Sequence, residues 1–176
     1  NNVNIKDNYY NYFWNTNIGY CPQNSGLINL LKGKEILELY CNIKGFNKEK
    51  TNKYVNILIN ALNLNEYSNK LIKTYSIGNK RKLSAGIALI GGSNIIYLDE
   101  VTTGIDPYNK KFMLNFIKNT TKNKTVIITS HSMYEIEYLC SNIGIINNGI
   151  LSAFGKCNHL KKKYGNGYEL YIKLTN

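Results

Sequence analysis

The stretch Asn94-Ile95-Ile96-Tyr97-Leu98-Asp99-Glu100 decides the fold. It is a short apolar run that contains two adjacent isoleucines and ends on two carboxylates. Such runs, without polar alternation, suit strands buried on both faces of a parallel sheet. A second run rich in β-branched residues follows at Lys124-Thr125-Val126-Ile127-Ile128-Thr129. Between the two, a helix is expected from Pro107 to Asn119, with Phe112, Met113, Phe116 and Ile117 clustered. Strand, helix and strand in this order make a β-α-β unit, whose crossover should be right-handed. The class is therefore α/β.

Working outward, residues 18–21 read as a short strand that ends at Cys21-Pro22. Residues 34–43 read as a helix with Ile36, Leu37 and Tyr40 on one face, and 48–62 as another with Val55, Leu58, Ile59 and Leu62 at the helical period. A third helix, 78–90, runs into Gly91-Gly92, a C-terminal stop signal. These helices form an insert between the first strand and the sheet core. Downstream, a helix is expected at 133–140 and a hairpin around Asn147-Asn148-Gly149, where Asn-Gly is a strong turn signal. A basic helix at 157–163 and a strand at Tyr168 to Leu174 close the chain. No internal repeat and no linker divides it.

With 176 residues, 43% of them hydrophobic, the chain is long enough for one core and is no disordered tail. No run approaches the roughly 18 apolar residues that span a bilayer. Asn1-Asn2-Val3-Asn4 has no signal-peptide pattern and no initiator Met, so the sequence is expected to begin inside something larger. The net charge of +11 comes almost wholly from dispersed lysines and reads first as a solvated surface. Anionic headgroups and nucleic acid are the other partners such charge can attract. Cys21, Cys41, Cys140 and Cys157 have no metal-ligand spacing and are expected to be buried thiols in a reducing compartment.

The chemistry begins at the acidic pair. A strand that delivers Asp99 and Glu100 at its C-terminal end places them at the sheet edge where α/β folds bind ligands. Phosphoryl transfer needs one carboxylate to hold Mg²⁺ and often a second to polarise the attacking water. Asp99 fits the first role and Glu100 the second. His131, in Thr129-Ser130-His131-Ser132, ends the neighbouring strand and can reach a terminal phosphate. The same segment, Ser132-Met133-Tyr134-Glu135, also fits a capping box. Asp106-Pro107 is a common helix start, which does not exclude a role at a dimer interface. Gln23 follows Pro22 in a loop after a strand. Ser76, with backbone N–H groups behind it, makes either a helix cap or a phosphate site.

In order, Gln23, Ser76 to Lys80, Asp99-Glu100, Asp106 and His131 resemble the nucleotide-binding domain of ABC ATPases. They match its Q-loop, signature motif, Walker B, D-loop and H-loop over nearly the whole chain. The resemblance is greatest to the second such domain of A-subfamily transporters. It is carried by Asn17-Ile18-Gly19-Tyr20-Cys21-Pro22-Gln23, by Gly78-Asn79-Lys80-Arg81-Lys82-Leu83-Ser84, and by Leu98-Asp99-Glu100-Val101-Thr102-Thr103-Gly104-Ile105-Asp106-Pro107. The tail Lys163-Tyr164-Gly165-Asn166-Gly167-Tyr168 adds to it. The resemblance implies a P-loop NTPase-like fold, partial, with a parallel sheet core and a helical signature subdomain at about 30–90. Residues 1–155 would be the partial nucleotide-binding domain and 156–176 its C-terminal extension.

It further implies that ATP is sandwiched between two such domains. Asp99 would act on Mg²⁺, Glu100 as catalytic base, and His131 as sensor of the γ-phosphate. Gln23 would contact Mg²⁺ or water and couple to the transmembrane domains. Ser76, Gly78 and the neighbouring Asn79 would bind, in trans, ATP held by the partner domain, and Asp106 would link the two sites. The partners implied are a second nucleotide-binding domain, transmembrane domains and, indirectly, a lipid. No nucleic acid is expected, and the domain would lie on the cytoplasmic face of a membrane.

Two departures stand out. No G-x-x-x-x-G-K-[ST] loop occurs, and that loop cradles the phosphates. Alone, the 176-residue chain is therefore expected not to hydrolyse ATP. Ile77 stands where the family usually has Gly, which permits close backbone approach and positive φ. Val101 replaces a usual Pro. Two other readings remain open: a soluble ABC-type ATPase acting on nucleic acid or ribosomes, and a non-catalytic or degenerate ABC domain.

Overall fold

A computed structural model of the protein describes residues 17–165. The chain divides into two compact units, the first ending at His131 and the second beginning at Ser132.

The first unit opens with β1 (Ile18–Cys21) and continues through helices α1 (Gly33–Ile43) and α2 (Lys48–Ala61). A single 3₁₀ turn (Ile72–Thr74) leads to α3 (Ile77–Leu89). Then come β2 (Ile95–Asp99), α4 (Pro107–Thr120) and β3 (Thr125–Thr129). The three strands form a parallel sheet in the order β1-β2-β3. The register pairs Cys21 with Leu98 and Asp99 with Thr129, so the C-terminal ends of β2 and β3 are level. The second unit holds α5 (Met133–Leu139), the antiparallel hairpin β4 (Ile143–Asn147) and β5 (Ile150–Gly155), and α6 (Cys157–Tyr164). The expected strand at Tyr168 to Leu174 lies outside the described residues, as do Asn1-Asn2-Val3-Asn4 and the end of the 163–168 tail.

The apolar spacing of the helices has its predicted effect. Ile36 and Leu37 of α1 and Val55, Leu58, Ile59 and Leu62 of α2 and its cap are all buried. Helix α3 carries a seam of small residues, Ser84, Ala85 and Ala88, that lets it lie close against the sheet. Gly19 is required there: a Cβ at this position would lie 1.9 Å from the carbonyl oxygen of Ala88. The helix stops because Gly91 and Gly92 take φ of 88° and 69°, values that L side chains disfavour. Asn148 and Gly149 also take positive φ, 49° and 76°, as a two-residue hairpin turn with primed geometry demands.

Three expectations are corrected. The strands are not buried on both faces. Gly19, Cys21, Ile96 and Leu98 face the core, whereas Tyr20, Tyr97 and Ile127, paired across the sheet in one row, are exposed. Among the described residues the packing covers one face of these strands. The capping box at Ser132 does not form. Ser132 makes no side-chain cap bond; its carbonyl accepts from Glu135 and Ile136 instead, and Glu135 turns inward and is buried. Of the four free thiols, Cys21 and Cys41 are buried as expected, but Cys140 and Cys157 are only partly so, because they lie at the end of α5 and the start of α6.

Candidate functional site

The level ends of β2 and β3 bring Asp99, Glu100 and His131 together. Nδ1 of His131 lies 2.9 Å from Oε2 of Glu100. The same Oε2 accepts a 2.7 Å hydrogen bond from the Thr103 hydroxyl, one turn further along the chain. The Thr129 hydroxyl donates to Oδ1 of Asp99 at 2.5 Å and accepts from the Glu100 backbone N–H at 3.1 Å. That N–H also reaches the Thr129 carbonyl at 3.2 Å. Glu100 takes φ of 47°, in the left-handed region where few non-glycine residues sit. Such backbone persists where surrounding bonds over-determine it, and here Thr129 and Thr103 hold both ends of the residue. The Glu100 side chain is mostly covered, at 20% exposure, while His131 is 74% exposed and open to a ligand.

Sequence reasoning singled out Asp99, Glu100 and His131 but missed Thr129 and Thr103. Thr129 is legible only through strand register, which sets it opposite Asp99. Thr103 had a local signal, a hydroxyl three residues after a carboxylate at the start of a turn.

Gln23 leaves the C-terminal end of β1, beside β2, and is exposed. It lines a cavity of about 400 Å³ with Asn24, Ser25, Ile77, Lys80 and Arg81. The cavity is held open from α3: Nη1 of Arg81 donates to the Pro22 carbonyl at 3.1 Å, and the Ser84 hydroxyl to the Ser25 carbonyl at 3.4 Å. Burial pushes the Cys21 thiol above its ordinary range, and that thiol lies 3.4 Å from the Ser84 hydroxyl. Gln23 therefore shares its cavity with the start of α3.

Ser76, Gly78 and Asn79 form that start. The Ser76 side chain accepts from the Asn79 N–H at 3.2 Å, so Ser76 is an N-cap in fact. Gly78 faces the loop after β2: a Cβ there would lie 3.6 Å from Cγ2 of Ile105. Ile77 is the first residue of the helix, does not have positive φ and is 64% exposed. Its place needs no glycine for backbone reasons; what it adds is a side chain that lines the cavity and faces Gly104. Asp106 caps α4, accepting from the Asn109 side chain at 2.7 Å and the Asn109 N–H at 3.0 Å, with Pro107 next. Those two bonds, the side-chain one first, hold the Asp106 carboxyl below its usual range. Ser76, Gly78, Asn79 and Asp106 bond within their own helix starts and not to the carboxylate cluster.

A hard cation suits Asp99, whose Oδ2 is left out of the Thr129 bond. Among the described residues no cluster of three His, Cys, Asp or Glu could cage a metal alone.

The architecture is that of an ATP-binding cassette. A dimeric ATP-binding cassette bound to ADP and Pi, in a post-hydrolysis state, superposes with a TM-score of 0.77 at 22% identity, covering 89% of this chain and 68% of that one. The family described as ABC transporter matches residues 1–103, and the chain belongs to it. ABC transporter A family member 4 of Dictyostelium discoideum is 44% identical over 90% of this chain and 10% of its own length. The mouse (Mus musculus) phospholipid-transporting ATPase ABCA3 is 42% identical over 89% of this chain and 9% of its own length. The chain thus spans about a tenth of these curated relatives. The resemblance to A-subfamily transporters and the P-loop NTPase-like α/β fold are both borne out. Among the described residues no helix is long and apolar enough to cross a membrane.

Proposed function

We propose that this chain is part of an ATP-hydrolysing domain that powers lipid export in a membrane ABC transporter, pairing with a second nucleotide-binding domain on the cytoplasmic face. The observation that carries the reading is the convergence of Thr103 and His131 on one oxygen of Glu100, beside Asp99, at the C-terminal edge of a parallel sheet. That edge is where α/β folds bind ligands.

In this reading Asp99 and Gln23 would hold Mg²⁺, which would lend positive charge to the phosphates. Glu100 is the general base. Its Oε2 is anchored by Thr103 and His131, and Oε1 lies outside both bonds, so the carboxylate is oriented while one oxygen faces the water to be activated. His131, with Nδ1 turned to Glu100, presents Nε2 to the γ-phosphate. Ser76, Gly78 and Asn79 offer a helix N-terminus to the nucleotide of the partner domain, where backbone N–H groups and the helix dipole favour anions. Asp106, fixed as a cap, spans the interface. The lipid cargo and the transmembrane partners are proposed from the A-subfamily relatives, the mouse protein among them being a phospholipid-transporting ATPase by name.

The test is nucleotide turnover and phospholipid movement by the complete transporter in liposomes. Glu100→Gln should keep ATP binding and lower Mg²⁺-dependent turnover by about 10²- to 10⁴-fold, the range of a general base. Turnover that survives Glu100→Gln within twofold would sink the assignment.

A further inference from the structure

We infer that Thr129 is a positioning residue for both carboxylates, its single hydroxyl tying the Asp99 side chain to the Glu100 backbone across the ends of two strands. The inference rests on the proposed hydrolytic reading and adds to it a role for a residue two positions before His131.

A threonine hydroxyl has one hydrogen to give and lone pairs to accept. Here the hydrogen goes to Oδ1 of Asp99 and a lone pair takes the Glu100 N–H. One atom thereby fixes the oxygen of Asp99 that remains for a cation and the left-handed backbone from which Glu100 departs. Threonine suits the post. Its branched Cβ favours the strand, and the register sets it opposite Asp99. Without the hydroxyl, Asp99 is free to rotate and the Glu100 N–H keeps only the longer bond to the Thr129 carbonyl. The effect would pass down the Glu100 side chain to His131, whose Nδ1 meets Oε2.

The experiment compares Thr129→Val, which keeps the shape and removes the hydroxyl, with Thr129→Ser, which keeps the hydroxyl. In the complete transporter, Thr129→Val should lower kcat by about 10- to 100-fold, the scale of a small misplacement of reacting groups. KM for ATP should stay within about threefold, and Thr129→Ser should restore kcat to within about threefold of wild type, since the oriented hydroxyl returns. In parallel, ¹⁵N spectra of His131 in the 176-residue chain, with His159→Gln for assignment, report the Glu100 contact without any turnover. Thr129→Val should shift the His131 ring signals toward those of Glu100→Gln, and Thr129→Ser should not. Unchanged kcat in Thr129→Val overturns the inference, as does a Ser variant no better than Val. If the wild-type transporter shows no Mg²⁺-dependent turnover, the hydrolytic reading fails by itself. The His131 spectra then decide the positioning role, and signals unmoved by Thr129→Val overturn it.

Discussion

Replacing Ile77 by Gly should lower stability slightly and raise activity, and the structure sets the size of both effects. Ile77 is the first residue of α3 and does not adopt positive φ, so the backbone gains nothing from glycine. Glycine in a helix costs about 0.5–1 kcal/mol through its greater freedom in the unfolded chain. The side chain is 64% exposed, so roughly a third of the ~1.5–3 kcal/mol of a fully buried isoleucine is at stake, about 0.5–1 kcal/mol. The sum is about 1–2 kcal/mol, a fall in Tm of about 2–8 °C for a domain of this size. Against it, the Ile77 side chain stands at the first position of α3, and its Cγ2 would be 3.4 Å from a Cβ at Gly104. A phosphate brought to an uncovered helix N-terminus gains about 0.3–2 kcal/mol, or about 2- to 30-fold in turnover if the gain is felt in the transition state. The assay is a thermal melt of the chain together with steady-state ATP hydrolysis by the complete transporter. A variant that melts lower but hydrolyses no faster would refute the claim that Ile77 obstructs the site. A variant that does not melt lower would show that the exposed side chain contributes no packing.

Two further outcomes are expected. Gly19→Ala drives a methyl onto the Ala88 carbonyl, a backbone atom that cannot swing aside, and should cost at least ~1–3 kcal/mol in urea denaturation; a loss under ~0.5 kcal/mol would mean that β1 and α3 separate easily. Burial raises the Tyr75 hydroxyl to about 12 and the Cys41 thiol to about 11, against ordinary values of 10.0 and 9.0. Because the fold favours their protonated forms, the stability they contribute is whole below pH 9, and it is lost as pH rises from 9 through 11 for Cys41 and from 10 through 12 for Tyr75. Urea midpoints measured across that range should fall less steeply in Tyr75→Phe than in wild type; parallel profiles would contradict the burial of that hydroxyl.

What could be read in advance followed from local rules. The Asp99-Glu100 pair was visible because an apolar run with adjacent isoleucines that ends in acids suits a strand reaching a sheet edge, and because Gln23, Ser76, Asp106 and His131 fall in order around it. Asp106-Pro107, Gly91-Gly92 and Asn148-Gly149 announced their turns through backbone chemistry that few other residues supply. The failures came where the outcome depends on a partner distant in sequence. Ser132-Met133-Tyr134-Glu135 has every residue of a capping box, yet Glu135 is buried instead. Ile127 and Tyr97 belong to runs that look buried on both sides, yet among the described residues both side chains are exposed. Thr129 is the instructive case: it stood at the end of a β-branched run and two positions before His131 with no role of its own, because its worth lies in a pairing with Asp99 thirty residues away. A motif names the groups that touch a ligand. The groups that aim them are set by register, and a hydroxyl facing a carboxylate across two level strand ends is the feature by which such residues can be sought in other parallel sheets.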